Sequence, residues 1–466
     1  MLVELDLGII GLGVMGHSIA LNFQNHGYSL AVYNRTEQKT RELTQNYPEI
    51  YGKYNLNDFV NSLSKPRKIL LMMTAGPAVD TTIANLTGSL SREDILMDGG
   101  NSHFQDTERR FNQLKKEGIH FLGIGVSGGE EGALRGPCIM AGGSRRGYDA
   151  VQEMLNAIAA KADGACCQFL GSGGAGHYVK MIHNGIEYAI IQIIAEAYDL
   201  LTRGARLTTK QTRDIFKNWS TGEMNSFLME IATEVLSAED PNTNLPLVST
   251  ILDRAQQKGT GKWTSQNAFD LGIPTPTIDA AVSARNMSAL KDERVYASKY
   301  LNKTQENLVN HTEHFVSTLG DAMEASIIVS YAQGFHLMRA AAKEYQYSIP
   351  FEEVARIWKG GCIIRAKLLD SIKAAYSSNP TLQNLLLDPK IAANINGLDT
   401  NWRELTIQAK KAGIPIPAID ASLGYYDSYR SQLLPANMIQ ALRDRFGSHG
   451  YERTDKLGQH HTNWSN

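Results

Sequence analysis

The chain has 466 residues, 42% hydrophobic and 20% charged, which is enough for two or three domains with cores of their own and excludes a disulfide-stapled miniprotein or a disordered tail. Its 46 Lys and Arg against 48 Asp and Glu leave a formal net charge of -2, so no global field draws in nucleic acid or an anionic membrane, and an anionic ligand must be held by a local cluster. The four cysteines, Cys138, Cys166, Cys167 and Cys362, are too few and too irregularly spaced for a disulfide framework or a zinc site, so no metal is expected.

The start MLVELDLGIIGLG carries Glu4 and Asp6 where a secretory signal needs basic residues. From there to about residue 176, short apolar runs alternate with amphipathic stretches and Gly-rich junctions, the pattern of parallel strands joined by crossover helices. Strands are expected at LDLGIIG, YSLAVYN, KILLMMT, DILMDGG, IHFLGIGVS, CIMAGG and CCQFLG. From Tyr178 onward, nearly all apolar residues recur at helical spacing. The most apolar of these stretches, IEYAIIQIIAEAYDLL, is broken by Gln192, Glu196 and Asp199, which suits a buried core helix and not a membrane span. A protein of the cytoplasm is therefore expected.

The expected fold is an α/β Rossmann-like dinucleotide-binding domain (1–176) followed by a large all-α domain (177–434) and a polar C-terminal tail (435–466) that runs as an arm over some surface. Within the helical part, GIPTPTIDA from Gly272 returns as GIPIPAIDA from Gly413, with seven of nine positions identical. Ile215-Phe216-Lys217 and Ile357-Trp358-Lys359 match at nearly the same offset, and AEAYDLL from Ala195 loosely echoes AQGFHLM from Ala332. Three matches in order predict two copies of a helical half, about 177–316 and 317–434. Two similar turns after helices are the plainer alternative.

Gly11-Leu12-Gly13-Val14-Met15-Gly16 follows the first expected strand and opens a helix. In that context the first glycine permits a sharp turn, the second lets the backbone approach a pyrophosphate, and the third lets helix and strand pack closely. The helix N-terminus then presents N–H groups and a positive dipole end to the phosphates. The second strand ends at Tyr33-Asn34-Arg35-Thr36, where an NAD enzyme usually carries a carboxylate for the ribose 2′-hydroxyl. Asn34 is neutral and Arg35 can bond a 2′-phosphate and stack on adenine, so NADP is favoured over NAD.

In GSGGAGHYVKMIHNGIEYAIIQ, Lys180, His183, Asn184 and Glu187 fall at i, i+3, i+4 and i+7, on one face of an otherwise apolar helix. A solvated stripe is the bland alternative. Lys180 and Glu187 lie roughly 10 Å apart along the axis at 1.5 Å rise per residue, room for a small polar substrate. Burial drives a lysine to lose its proton and a glutamate to keep one, which makes a base and an acid. Three Gly-rich loops are expected to face this helix: Asp98-Gly99-Gly100-Asn101-Ser102, Val126-Ser127-Gly128-Gly129-Glu130-Glu131-Gly132, and Lys258-Gly259-Thr260-Gly261-Lys262-Trp263.

Taken in order, GLGVMG, NRT, DGGNS, GVSGGEEGALRGP, GAGHYVKMIHNGIEY, KGTGKWT, AVSARNMSALKDER and LRDRFGSHGYER resemble, over essentially the whole chain, the decarboxylating 6-phosphogluconate dehydrogenases within the wider β-hydroxyacid dehydrogenase family. Gln256 departs from that family's small residue, which touches only local loop packing. The resemblance implies NADP-dependent oxidative decarboxylation of 6-phosphogluconate to ribulose 5-phosphate, a step of the pentose phosphate pathway, without a metal. It implies Lys180 as general base towards the 3-hydroxyl and Glu187 as the acid that protonates carbon 1 of the product. It implies Met73, Thr74, Ala75 and Asn101 beside the cofactor; Asn101, Ser127, Gly128, Gly129, His183 and Asn184 on the sugar-acid end; and Tyr188, Lys258 and Arg285 at the phosphate end. Arg443 and His449 resemble a pair delivered from the partner's tail in a homodimer. Two other readings stay open: a dehydrogenase for a small unphosphorylated β-hydroxyacid, which gives no reason for Lys258, Arg285 or Arg443, and a catalytically silent NADPH-binding protein.

Overall fold

The computed structural model describes residues 4–301 and 312–464. Residues 1–3, 302–311 and 465–466, which fall within the expected domains, lie outside the described residues. Eight strands form one sheet: β1 (Leu7–Ile10), β2 (Leu30–Tyr33), β3 (Tyr51–Gly52), β4 (Lys68–Leu71), β5 (Ile95–Asp98), β6 (His120–Ser127), β7 (Cys138–Gly143) and β8 (Cys167–Phe169). All seven expected strands are among them, and the two-residue edge strand β3 is additional. Their order is β3-β2-β1-β4-β5-β6-β7-β8. Both faces are covered: β4 sends Leu70 into one apolar layer with Ile9 and Met97, and Ile69 and Leu71 into the other with Phe59 and Leu96.

One pairing departs from the expected parallel pattern. β6 and β7 run antiparallel, with Ser127 opposite Cys138. Only the short helix Gly129–Arg135 connects them, and a parallel crossover needs a dozen or more residues. Elsewhere the sheet is parallel, and chain order reverses beside β1, whose neighbours are β2 and β4. A switch point of this kind opens a crevice beyond the carboxyl ends of β1 and β4.

The helices that build this crevice are α1 (Val14–Asn25), α2 (Pro77–Thr87) and α3 (Phe104–Glu117). Proline opens α2, where its missing N–H costs nothing. Lys115 and Lys116 lie in the last turn of α3, and Gly118, in the left-handed region at φ 76°, ends it. The long α4 (Ala175–Asp199) is buried on nearly every side, as an apolar helix with few polar positions must be. It rests directly on the sheet through Gly176, where an added Cβ would stand 2.4 Å from the Gly123 carbonyl oxygen and 2.5 Å from the Gly142 nitrogen. No larger residue fits, and this contact fixes the height of the whole helix above β6 and β7.

Between α4 and residue 447 every described regular element is a helix, including α5 (Thr260–Asp270), α6 (Pro276–Ala289), α7 (Thr312–Glu344) and α8 (Pro417–Arg430). Each of the two matched peptides opens a helix, α6 or α8. The Glu196 carboxylate of α4 accepts from the backbone N–H of Ala418 (2.8 Å) and Ile419 (3.0 Å) at the start of α8. The Gln333 carboxamide of α7 accepts from Thr277 N–H (3.1 Å) at the start of α6. Thr277 and Ser422 meet through their hydroxyls at 2.9 Å.

Residues from Leu423 onward make a second compact unit. It contains α9 (Ala436–Gly447) and a small antiparallel pair, β9 (Tyr451–Glu452) with β10 (Gln459–His460). The buried Asp444 carboxylate accepts from Gly450 N–H, Thr462 N–H and the Trp464 indole, and its Oδ1 lies 2.8 Å from His461 Nδ1.

Candidate active site

The loop between β1 and α1 is shaped by its glycines. Gly11 has φ 100°, and a Cβ there would lie 2.3 Å from the Met72 carbonyl oxygen. At Gly16 a Cβ would fall 2.0 Å from the Gly11 carbonyl oxygen, so helix and strand meet backbone to backbone. A Cβ at Gly13 would meet nothing within 4 Å, and Gly13, the N-cap of α1, brings no side chain to the first-turn N–H groups. That open approach to a helix N-terminus suits a pyrophosphate. Leu12 is buried, Met15 packs partly against the core and Val14 is exposed.

Asn34, at the tip of β2, accepts from Leu12 N–H at 2.9 Å and donates to the Thr36 carbonyl at 2.9 Å. It therefore holds the glycine loop against the strand end, a role its neutrality alone did not indicate. Arg35 and Thr36 are exposed beside it. These residues fit NADP: no carboxylate stands at the strand tip, and a guanidinium does. Across the switch point, Met73, Thr74 and Ala75 form the loop after β4. Gly100, in the loop after β5, packs on it, a Cβ there lying 2.8 Å from the Met73 carbonyl oxygen. Asn101 is exposed in that second loop.

On α4, Lys180 is 6% exposed, and Gly125 of β6 leaves room for its stem, since a Cβ at Gly125 would sit 2.4 Å from Lys180 Cβ. His183 is fully buried. Its Nδ1 lies 3.1 Å from Asn184 Oδ1, 3.5 Å from Lys180 Nζ and 3.8 Å from Glu187 Oε2, while Nε2 meets the Ser127 hydroxyl at 3.2 Å. A proton assigned to Nδ1 and donated to Asn184 leaves Nε2 to accept from Ser127. The helix-face spacing thus places four groups and the β6 terminus in one polar chain inside an apolar wall. Burial pushes the Lys180 ammonium below its ordinary range against the opposing pull of Glu187 and of Cys362 and Cys138. Burial lifts the Glu187 carboxyl, opposed by Lys180 and Arg285. His183 is held well below the usual imidazole range by burial and then by the Lys180 charge, so it is neutral.

Tyr188, one residue past Glu187, is buried under the Arg285 guanidinium, whose Cζ stands 3.5 Å from the ring centroid. Gly261 of α5 lies against the same ring, with a Cβ position 2.4 Å from Tyr188 Cδ2, so the Lys258 to Trp263 segment is docked beside Arg285. Lys258 is exposed at its edge. The Trp263 ring meets His103, just after Ser102, edge to face at 5.0 Å, which joins this segment to the loop after β5. Gly128 and Gly129, at φ 122° and 65°, turn the chain after Ser127, and Gly128 packs on the Gly361 carbonyl. Arg443 and His449 belong to the second unit, where both are exposed; Arg443 donates to Gln440, and His449 packs on Phe446.

Several site residues escaped the sequence reading. The Trp358 ring stands edge-on to His183 at 5.6 Å, and Cys138 and Cys362 are buried next to Lys180. In the sequence Trp358 stands out only as part of an internal match, although the Gly360-Gly361 pair after it marks a close backbone approach. Arg110, buried beneath the two crevice loops, carries no such signal, and Asp98, expected only as part of its loop, is buried beside it. Among the described residues, no group of three or more His, Cys, Asp or Glu is placed to hold a metal ion, and no helix is long and apolar enough to cross a membrane.

Comparison with known proteins agrees with this geometry. Residues 6–171 match the NAD binding domain of 6-phosphogluconate dehydrogenase, and residues 176–464 match the 6-phosphogluconate dehydrogenase C-terminal domain. The chain is 48% identical over 463 residues to the NADP(+)-dependent, decarboxylating 6-phosphogluconate dehydrogenase of Bacillus subtilis, covering 98% of this chain and 99% of that one. It is 46% identical over 463 residues to the decarboxylating enzyme of Escherichia coli, with the same coverage. The Plasmodium falciparum 6-phosphogluconate dehydrogenase, solved apo, with its cofactor NADP+ and with its substrate 6-phosphogluconate, superposes with a TM-score of 0.95 at 41% identity, covering 98% of this chain and all of that one. Matched from the glycine loop through the second unit, the chain belongs to the 6-phosphogluconate dehydrogenase family.

Proposed function

We propose that the chain catalyses NADP-dependent oxidative decarboxylation of 6-phosphogluconate to ribulose 5-phosphate and carbon dioxide, with Lys180 as general base and Glu187 as general acid. The observation that carries the reading is the buried stripe on α4, in which a lysine shifted towards its neutral form and a glutamate shifted towards its protonated form flank a neutral histidine. NADP bound between the glycine loop, Asn34-Arg35-Thr36 and Met73-Thr74-Ala75 supplies a hydride acceptor.

The neutral Lys180 Nζ takes the proton of the 3-hydroxyl as carbon 3 gives up its hydride. The resulting ketone stands β to the carboxylate, so when the C1–C2 bond breaks its electron pair enters a C2–C3 enediol. Lys180, now charged, returns its proton to the oxygen on carbon 3. Glu187 then protonates carbon 2 of the substrate, which becomes carbon 1 of the product, while Lys180 Nζ takes back the proton on the carbon 3 oxygen. Asn101, Ser127, Gly128, Gly129, His183 and Asn184 hold the sugar-acid end, and Tyr188, Lys258 and Arg285 the phosphate. Those cations act far from the reacting atoms and position the sugar for transfer. Arg443 and His449 reach the phosphate end from the second copy's C-terminal unit in a homodimer.

The test is reduction of NADP and of NAD with 6-phosphogluconate, with carbon dioxide collected. One carbon dioxide per NADPH, and poor reduction of NAD, support the proposal. NADPH formed without carbon dioxide favours the non-decarboxylating reading, and no turnover favours the silent one.

A further inference from the structure

We propose that Arg110 is a positioning residue for this reaction: its guanidinium clamps the loop after β4 to the loop after β5, and so sets the register between the cofactor side and the sugar-acid side of the crevice. The inference rests on the proposed function, which places Met73, Thr74 and Ala75 in one loop and Asn101 in the other at the reacting centre.

Arg110 lies on α3 and is 1% exposed. All five of its N–H donors are engaged. Nη2 bonds the Gly76 carbonyl oxygen (3.0 Å) at the end of the β4 loop, and Nε and Nη2 grip the Asp80 carboxylate at 2.8 and 3.1 Å in the first turn of α2. Nη1 bonds Asp98 Oδ2 and the Ser102 hydroxyl oxygen, both at 3.2 Å, at the two ends of the β5 loop. Asp98 carries the restraint inward, accepting from Ser102 at 2.6 Å through Oδ2 and from Gly100 N–H at 3.1 Å through Oδ1. Asn101 thus sits between two residues that are tied to one carboxylate.

The loops also touch directly, Gly99 against the Met72 sulfur and Gly100 against the Met73 carbonyl, so a shift in one is felt by the other. The same helix reaches the catalytic helix: the Thr107 hydroxyl meets His177 Nδ1 at 2.7 Å, and Phe104 packs on Tyr178. A buried ion pair adds little net stability over an apolar replacement, whereas a fully satisfied network fixes one geometry. A lysine offers a compact point charge in place of a planar fork and cannot serve both loops at once.

The experiment compares wild type, Arg110→Lys, Arg110→Gln and Asp80→Asn by kcat, by KM for NADP and for 6-phosphogluconate, by the isotope effect with substrate deuterated at carbon 3, and by thermal midpoint. A misplacement near 1 Å costs about 100-fold, so both Arg110 variants are expected to lose about that factor in kcat, with a raised isotope effect and little change in KM for 6-phosphogluconate. Asp80→Asn leaves Arg110 in place and is half-buried, so it folds even where the Arg110 variants do not; about a tenfold loss in kcat is expected, from one weakened arm of the network. Variants with lowered midpoints but unchanged kcat, KM and isotope effect overturn the clamp. A wild type that does not turn over overturns the proposed function and the clamp together; an active wild type with unaffected variants overturns the clamp alone.

Discussion

Glu196→Gln tests how α4 is tied to the rest of the helical part. Burial lifts the Glu196 carboxyl from about 4.5 to about 7, against the backbone N–H groups of Ala418 and Ile419 and the Gln192 amide, with Asp420 adding to the rise. Below pH 4.5 folded and unfolded chains both hold the proton. Between roughly 4.5 and 7 the unfolded chain ionises first, so stability falls as pH rises, and above 7 the loss is complete. A gap of about 2.5 pH units corresponds to about 3 kcal/mol. Glutamine removes this dependence and is already used at the matching place, where Gln333 accepts from Thr277. It offers one acceptor oxygen in place of two, a pH-independent cost of about 1 kcal/mol. Urea midpoints from pH 5 to 8 are therefore expected to fall for wild type and to stay flatter for Glu196→Gln, with the variant the more stable by about 2 kcal/mol at pH 8. Parallel curves across that range would show that the buried carboxylate carries no such penalty.

Asn34→Asp keeps an acceptor for Leu12 N–H but puts a carboxylate beside the 2′-phosphate, and kcat/KM for NADP is expected to fall 10-fold to 100-fold on the scale of one charge-assisted bond, with NAD gaining; Arg35→Ala should weaken NADP without improving NAD, and an unchanged cofactor ratio in both refutes the reading of the strand tip. Gly125→Ala drives a Cβ against Lys180 Cβ, and is expected to lower kcat while NADP binding, measured by calorimetry, is kept. Lys180→Ala should abolish hydride transfer altogether, with single-turnover NADPH formation below detection; normal turnover removes Lys180 from the base role.

Seven of the eight strands and the polar stripe of α4 are legible in the sequence because each depends on local spacing: apolar runs between glycines for all but the two-residue β3, and i, i+3, i+4, i+7 for Lys180, His183, Asn184 and Glu187. What local spacing does not carry is which distant segment closes over a site. Trp358 reaches His183, Cys362 reaches Lys180 and Gly361 reaches Gly128 from far along the chain, and only the packing of the helical part brings them there. Arg110 sits in FQDTERRFNQLKKE, where neighbouring charges make it look solvated. The antiparallel turn of β7 was hidden because GEEGALR reads like any crossover helix, and its length was the clue. Arg443 and His449 entered by resemblance alone, since two polar residues on an exposed segment carry no chemical pattern of their own.

The separation of roles between Lys180 and Glu187 is tested most directly by rapid mixing of Glu187→Gln with NADP and 6-phosphogluconate, following the reduced nicotinamide. In the proposed assignment oxidation needs Lys180 and not Glu187, so a fast burst of NADPH equal to the enzyme concentration is expected, followed by a steady state slowed about 100-fold or more by loss of the acid. A variant that shows no burst, or one that cycles at the wild-type rate, would contradict the assignment of base and acid along α4.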